Sequence, residues 1–126
     1  MDKKKREVTI VTAKGVCEKE KFQKLLKAGS IVADKVESVI EQKMTFVGLA
    51  EVSIKTEDKE FTQNYYVTKE GKIFTSGSEY LRESFDDIEI GEEFVVKNIK
   101  TKRGHTYRAN PIFNVSDLTS DDDLQF

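Results

Sequence analysis

The segment Thr45-Phe46-Val47-Gly48-Leu49-Ala50-Glu51-Val52-Ser53-Ile54-Lys55 is the strongest indication of the fold in this chain. Apolar and β-branched residues dominate it, and this composition favours a β-strand. A glycine inside a strand often marks a bulge or a sharp bend, so we expect one at Gly48. A long strand that bends near its middle can belong to both halves of a curled sheet.

Four shorter strands are predicted after this segment, joined by polar turns. The turns contain charged residues and glycine, which end strands and reverse the chain. The predicted strands cover 61–68, 72–75, 92–102 and 105–113, and the turns lie at 57–60, 69–71 and 103–104.

Helical patterns occur before the long strand and once within the series of strands. Phe22, Leu25 and Leu26 lie on one face of a predicted helix over 18–28, and Gly29 is suited to its C-terminus. The remaining patterns are a short strand over Val8 to Val11, a helical turn with Val36, Val39 and Ile40, and a helix with Tyr80, Leu81 and Phe85 that begins at Ser76 or Ser78.

The order of these elements predicts the fold class. Three strands, a helix and two strands follow one another, which is the element order of the OB-fold, a five-stranded Greek-key barrel. We therefore expect an all-β protein with one or two short helices. The predicted organisation is N-terminal strand and helix elements over 1–43 that pack on the barrel, the OB-fold barrel over 44–115, and a disordered acidic tail over 116–126.

Composition limits the class of protein. A chain of 126 residues, 37% of them hydrophobic, has material for one compact domain and a tail. Cys17 is the one cysteine and His105 the one histidine, so the sequence lacks both the ligand spacing of a zinc site and a disulfide within the chain. No apolar run is long enough for a signal peptide or a membrane span. We expect a cytoplasmic protein without a metal, a cofactor or membrane contact.

Charge is unevenly distributed along the chain. Of 23 acidic residues, four lie beyond Asn114, which leaves 19 in the body against 21 basic residues. No acidic residue occurs between Phe94 and Ser116. A local basic stripe on a nearly neutral body favours a polyanion as ligand, although a solvated hairpin face has the same composition. The basic residues of this stretch are Lys97, Lys100, Lys102, Arg103 and Arg108.

Aromatic residues are interspersed with basic residues in the predicted barrel. Tyr65 and Tyr66 are adjacent in one strand, so one side chain faces the interior and the other faces outward. Phe74 and Tyr107 are further candidates for the surface, and the alternative is that these rings fill the barrel. An exposed ring stacks on any base with about 1–3 kcal/mol, while cations bind the phosphates. The cations expected around these rings are Lys55, Lys69, Lys72, Lys100, Lys102, Arg103 and Arg108.

The end of the chain, Ser120-Asp121-Asp122-Asp123-Leu124-Gln125-Phe126, combines an acidic run with two apolar residues. Consecutive carboxylates repel one another and remain solvated, which predicts disorder. Leu124 and Phe126 are anchors that a pocket of a partner protein can bury. We expect a partner-binding tail formed by Asp121, Asp122, Asp123, Leu124 and Phe126, with a solubilising terminus as the alternative.

Four segments of the body share a pattern with a known group of proteins. They are Phe22-Gln23-Lys24-Leu25-Leu26, Val52-Ser53-Ile54, Lys69-Glu70-Gly71-Lys72 and Lys100-Thr101-Lys102-Arg103-Gly104-His105-Thr106-Tyr107. In these segments the chain resembles small single-stranded DNA-binding proteins of bacteriophages and mobile elements of Gram-positive bacteria. Its end is similar to the tail of bacterial single-stranded DNA-binding proteins, with Gln125 where that family has Pro.

This resemblance implies a protein that coats single-stranded DNA during replication or recombination in the cytoplasm of a bacterial host cell. It also implies that the tail recruits replication or recombination proteins. Whether the protein forms a homo-oligomer stays open.

Other functions fit the sequence less well. A nuclease needs carboxylates that converge on a metal, and the densest acidic cluster lies in the predicted tail. The turn Lys69-Glu70-Gly71-Lys72 lacks the other glycine and the Ser or Thr of a P-loop, so we expect no enzyme activity. An RNA-binding OB-fold module of the cold-shock or translation type is the alternative. A peptide-binding adaptor would leave the basic stripe without a role.

Overall fold

A computed structural model describes residues 7–17 and 19–112 and shows a mainly β protein with two short α-helices. The predicted strands and helices are confirmed, with shifts of a few residues at their ends. No helix within the described ranges is long and apolar enough to cross a membrane. The elements are β1 (Glu7–Gly15), α1 (Lys19–Lys27), β2 (Asp34–Lys35), a 3₁₀ turn (Val36–Val39), β3 (Lys43–Lys55), β4 (Glu60–Thr68), β5 (Ile73–Ser76), α2 (Glu79–Ser84), a second 3₁₀ turn (Phe85–Asp87), β6 (Glu93–Thr101) and β7 (Gly104–Ile112).

The long strand β3 organises the sheet. One of its edges pairs with β4, and its other edge is shared by β6 at residues 43–45 and by β1 at residues 48–55. The register with β4 shifts between Phe46 and Gly48, which confirms the predicted irregularity. A Cβ at Gly48 would lie 2.9 Å from the carbonyl oxygen of Lys14. The glycine is therefore needed because β1 passes too close for a side chain.

The sheet curls into a half-barrel with the strand order β2-β5-β4-β3-β6-β7. We expected a closed five-stranded barrel, but no strand pairing joins β5 to β7 in the described part of the chain. Helix α2 instead lies along β7, where the Ala109 amide donates to Ser84 Oγ at 2.9 Å. At the other end of α2, Ser78 Oγ lies 3.4 Å from Thr106 Oγ1. The helix thus occupies the edge that a closing strand would use.

Both faces of the sheet are covered by apolar side chains. On the inner face, the ring of Tyr66 stacks between Phe74 at 5.0 Å and Phe85 at 4.5 Å. On the outer face, Phe22 of α1 meets Tyr65 edge to face at 6.0 Å. The outer cluster includes residues of β1, α1, β3 and β4, so the N-terminal elements form a second core.

Local signals place the two helices. Gly29 lies just beyond the end of helix α1 with a φ of 71°, which glycine readily adopts, and the Ser30 amide donates back to the Leu25 carbonyl at 3.0 Å. Helix α2 begins after Ser78, whose hydroxyl accepts from the Leu81 amide at 3.1 Å. Leu81 is buried as expected. Tyr80 was predicted to share the apolar face of this helix, and this prediction is wrong because the residue is 46% exposed.

Candidate nucleic-acid interface

The hairpin of β6 and β7 extends well past the strand on which it begins. Pairing of β6 with β3 involves only residues 93–95, whereas pairing of β6 with β7 continues to Thr101 and Gly104. At the tip, Thr101 Oγ1 donates to the Gly104 carbonyl at 3.1 Å and accepts from the Arg103 amide at 3.3 Å. These bonds hold the turn in one shape, so Lys102 and Arg103 project from an ordered support.

Four cations of this hairpin are available to a ligand. Lys97 differs from them, because its ammonium lies 2.8 Å from Glu41 Oε1 and its charge is compensated. The four are exposed, and none forms an ion pair with another described residue. An unpaired cation can neutralise a phosphate without first breaking an internal contact. They are Lys100, Lys102, Arg103 and Arg108.

The aromatic residues predicted to stack on bases are buried. Tyr65 and Tyr66 face opposite sides of the sheet, as predicted, but only 8% of Tyr65 is exposed and Tyr66 is fully buried. Phe74 is also fully buried. The prediction of an exposed ring at these positions is wrong because α1 covers the outer face of the sheet and the aromatic core fills the inner face.

Tyr107 is half-buried and partly committed to an internal contact. Its hydroxyl donates to Glu37 Oε2 at 3.0 Å, and its ring packs against the inner core. Burial and the Glu37 carboxylate raise the pKa of Tyr107, so the phenol keeps its proton. This bond ties β7 to the 3₁₀ turn before β3 and leaves only part of the ring accessible.

Tyr80 is an exposed aromatic residue that the sequence prediction missed. Together with Glu83, Ser84 and Arg108 it lines a shallow pocket of about 180 Å³ between α2 and β7. A signal was present in the sequence, because Leu81 and Phe85 are four residues apart and define the buried face of a short helix. Tyr80 precedes that face by one residue and therefore points away from it.

The remaining predicted cations lie elsewhere on the sheet. Lys55 is at the end of β3 opposite to the β6 contact, and its cross-strand neighbours are Glu7 and Glu60, which offset its charge. Lys69 and Lys72 are exposed in the β4–β5 turn. The structure does not place Lys55 with the hairpin cations.

The β4–β5 turn is fastened to β3 by Glu70. Its Oε1 accepts from the Thr45 amide at 2.8 Å, and its Oε2 accepts from Thr45 Oγ1 at 3.0 Å. The amide bond is the main reason that the pKa of Glu70 lies below its ordinary value. Lys69 and Lys72 therefore extend from a turn that is held in position.

Few side chains in the described part of the chain are suited to nucleophilic or metal-dependent catalysis. Cys17 is buried, and burial raises the pKa of its thiol to about 12, which leaves it protonated and unreactive. No set of three His, Cys, Asp or Glu side chains is arranged to hold a metal among residues 7–17 and 19–112. The predicted tail residues Asp121, Asp122, Asp123, Leu124 and Phe126 lie outside the described residues.

Comparisons with protein-family models, with curated proteins and with solved structures gave no significant match.

Proposed function

We propose that the protein binds single-stranded DNA with little sequence preference through the β6–β7 hairpin and the adjoining side of α2. The observation that carries this proposal is the group of four exposed cations that form no ion pair with another described residue, together with exposed Tyr80 beside Arg108. Cations that follow a backbone and a ring that stacks on a base are the two elements of non-specific single-strand binding. Neither contact depends on base identity.

The strand order supports this assignment. From β3 to β7 the elements follow the order of an OB-fold, with the long first strand shared between two neighbours. In that fold the loop between the last two strands contacts nucleic acid. The corresponding loop here carries Lys102 and Arg103. The open edge beside α2 departs from a closed barrel, so the assignment to the OB-fold belongs to the proposal.

The proposed interface differs from the strand face that the sequence favoured. Because α1 covers the outer face of β4, bases stack on Tyr80 beside Arg108 in this proposal, whereas Tyr107 lies on the opposite face of β7. Phosphates bind Lys100, Lys102, Arg103 and Arg108. Lys69 and Lys72 can extend the path along a second turn, whereas Lys55 is left out.

The proposed biological role follows from the resemblance. The protein coats single-stranded DNA during replication or recombination of a phage or mobile element inside a bacterial cell. The tail formed by Asp121, Asp122, Asp123, Leu124 and Phe126 binds a replication or recombination protein through its apolar end.

A titration with oligo-dT at several salt concentrations tests the proposal. Each neutralised phosphate of a single strand contributes about −0.7 to the slope of log K against log salt, so four cations predict a slope of about −3. Tighter binding to duplex DNA than to oligo-dT at matched salt would contradict the proposal. Tighter binding to oligo-U of equal length would favour the RNA-binding module instead.

A further inference from the structure

An apolar pocket opens where α1, the end of β1, β3 and the turn before β6 meet. It has a volume of about 500 Å³. Eight large apolar residues of the described chain are more than one-third exposed, and three of them line this pocket: Val16 at 60%, Leu25 at 38% and Ile90 at 45%. Exposed apolar side chains that are grouped in this way typically mark an interaction surface. The other side chains that line the pocket are Lys21, Phe22 and Val47.

The floor of the pocket is a glycine backbone. A Cβ at Gly15 would clash with the Val47 carbonyl oxygen and would lie 2.8 Å from Ile90 Cδ1, so Ile90 packs directly on this residue. The next amide, that of Val16, donates to the same carbonyl at 2.9 Å. Backbone contacts therefore hold the pocket in shape before any occupant binds.

The described chain ends close to this pocket. Ile112, the last residue of β7, pairs with Glu93, which follows Ile90 by three residues. Three residues span at most about 10 Å, and paired strands lie about 5 Å apart. Ile112 is therefore within about 15 Å of Ile90 along this path.

The six residues after Ile112 have the length and the composition that this pocket requires. They lie outside the described residues and span up to about 20 Å when extended. Val115 and Leu118 are apolar, and Asp117 carries the one charge of the segment. The segment reads Phe113-Asn114-Val115-Ser116-Asp117-Leu118.

The charge at the pocket suits an acidic occupant. Lys21 is the charged residue that lines it, and its ammonium forms no ion pair with another described residue. Two nearby carboxylates have other surroundings, because Glu20 lines a groove on another side of α1 and Glu92 Oε1 accepts from the Glu89 amide at 2.6 Å. A carboxylate that approaches the rim of the pocket can therefore pair with Lys21.

We propose that segment 113–118 folds back and docks in the pocket of its own chain. Val115 and Leu118 bury their side chains there, and Asp117 pairs with Lys21. The short tether gives the segment a high effective concentration at the pocket, so the individual contacts can be weak. Docking fixes the point on the body from which the rest of the acidic end continues. It does not depend on DNA binding.

Tryptophan fluorescence of the full chain tests this docking, because the chain contains no Trp. Leu118→Trp places an indole in the proposed contact, and Gln125→Trp places one beyond the segment. We expect Leu118→Trp to emit at a shorter wavelength than Gln125→Trp and to be quenched less strongly by acrylamide. Neither difference should change on dilution, since the segment and the pocket belong to one chain.

Two matched substitutions in the Leu118→Trp protein locate the contact. Val16→Ser removes an apolar side chain from the pocket, so the emission should shift to longer wavelength and the quenching should increase. Val32→Ser removes the same side chain from a position that is 84% exposed and does not line the pocket, so it should change neither signal. If circular dichroism shows that Val16→Ser loses strand structure, Leu25→Ser takes its place with the same expected result.

The proposal is overturned if acrylamide quenches the Leu118→Trp and Gln125→Trp proteins equally, or if the pocket variant and Val32→Ser have the same effect. Loss of the Leu118→Trp emission shift on dilution also overturns it, because a second copy of the chain then supplies the segment.

Discussion

Gly48 shows how one residue without a side chain lets two strands approach. A Cβ at this position would lie 2.9 Å from the Lys14 carbonyl oxygen and 2.9 Å from the Val16 amide nitrogen. Both are backbone atoms, so relief requires movement of β1 relative to β3. We expect Gly48→Ala to lower the free energy of unfolding by about 1–3 kcal/mol, measured by urea denaturation.

A glycine with free space around it provides the control for this prediction. A Cβ at Gly77 would meet a single atom at 3.7 Å, an ordinary contact. Gly77→Ala should therefore change stability little. Equal urea midpoints for Gly48→Ala and the parent protein would show that β1 does not approach β3 as closely as described.

Glu70 gives the stability of the protein a dependence on pH. Its pKa is lowered from the ordinary 4.5, chiefly by the Thr45 amide, so the folded state favours the carboxylate. The contribution of Glu70 to the free energy of unfolding is complete above the ordinary pKa and is lost as the pH falls through the lower pKa of the folded state. We expect Glu70→Gln to cost about 1 kcal/mol at pH 7 and progressively less in acid, measured by thermal unfolding. Glu57→Gln, in the exposed β3–β4 turn, is the control.

At the scale of elements, the β6–β7 hairpin is the main source of the expected salt dependence. Replacing Lys102 and Arg103 together with Ala removes two of the four hairpin cations that have no ion pair among the described residues. The slope of log K against log salt for oligo-dT should become shallower by about 1.4, because each phosphate contact contributes about 0.7. The thermal midpoint should not change, since both side chains are exposed.

A control pair of lysines is available on α1. Lys24 and Lys27 are exposed on the helix that covers the outer face of the sheet. Replacing both with Ala changes the net charge equally but should leave the slope unaltered. Equal effects of the two pairs would mean that overall charge, and not the hairpin, binds the DNA.

Helix α2 contributes the stacking surface in the proposed interface. We expect Tyr80→Ala to reduce oligo-dT affinity by about tenfold, since stacking on one ring is worth about 1–3 kcal/mol. Phe61→Ala is the matched control, because this residue is 39% exposed but lies in β4, with its ring beside the Lys59 ammonium. If Tyr80→Ala leaves the oligo-dT affinity unchanged and Phe61→Ala weakens it, the DNA binds at the β3–β4 turn and the proposed interface is wrong.

At the scale of the whole molecule, the acidic end of the chain can compete with DNA for the hairpin. Four Asp residues lie between 117 and 123, and tethering gives them a high effective concentration relative to the hairpin cations Lys100, Lys102, Arg103 and Arg108. Deleting residues 117–126 should strengthen oligo-dT binding, most of all at low salt. The gain should shrink near physiological ionic strength, where the Debye length is about 8 Å.

Removing Phe126 alone separates the two expected roles of the tail. This change leaves every Asp in place, so the DNA titration should hardly change. Capture of a replication or recombination protein by the immobilised chain should be lost, because an apolar anchor is missing. If deleting 117–126 alters neither DNA affinity nor any partner contact, the segment acts only as a solubilising end.

The identity and order of the elements could be predicted because their signals are local. Ser78 caps α2, Gly29 ends α1, and the run from Thr45 to Lys55 is long and β-branched, and each pattern acts within a few residues. The basic hairpin was also evident, since its cations are close together in sequence. These features are determined by residues close together in sequence and do not depend on contacts with distant segments.

Exposure and sheet closure depend on segments that are distant in sequence. Alternation correctly placed Tyr65 and Tyr66 on opposite faces, but Tyr65 is buried by Phe22 of α1, more than forty residues earlier in the chain. The edge of β7 is occupied by Ser78 and Ser84 of α2, so strand pairing does not close the barrel among the described residues. Local periodicity predicts on which face of a strand or helix a side chain lies. Whether that side chain is buried depends on the element that packs against the face, and this contact forms only when distant segments fold together.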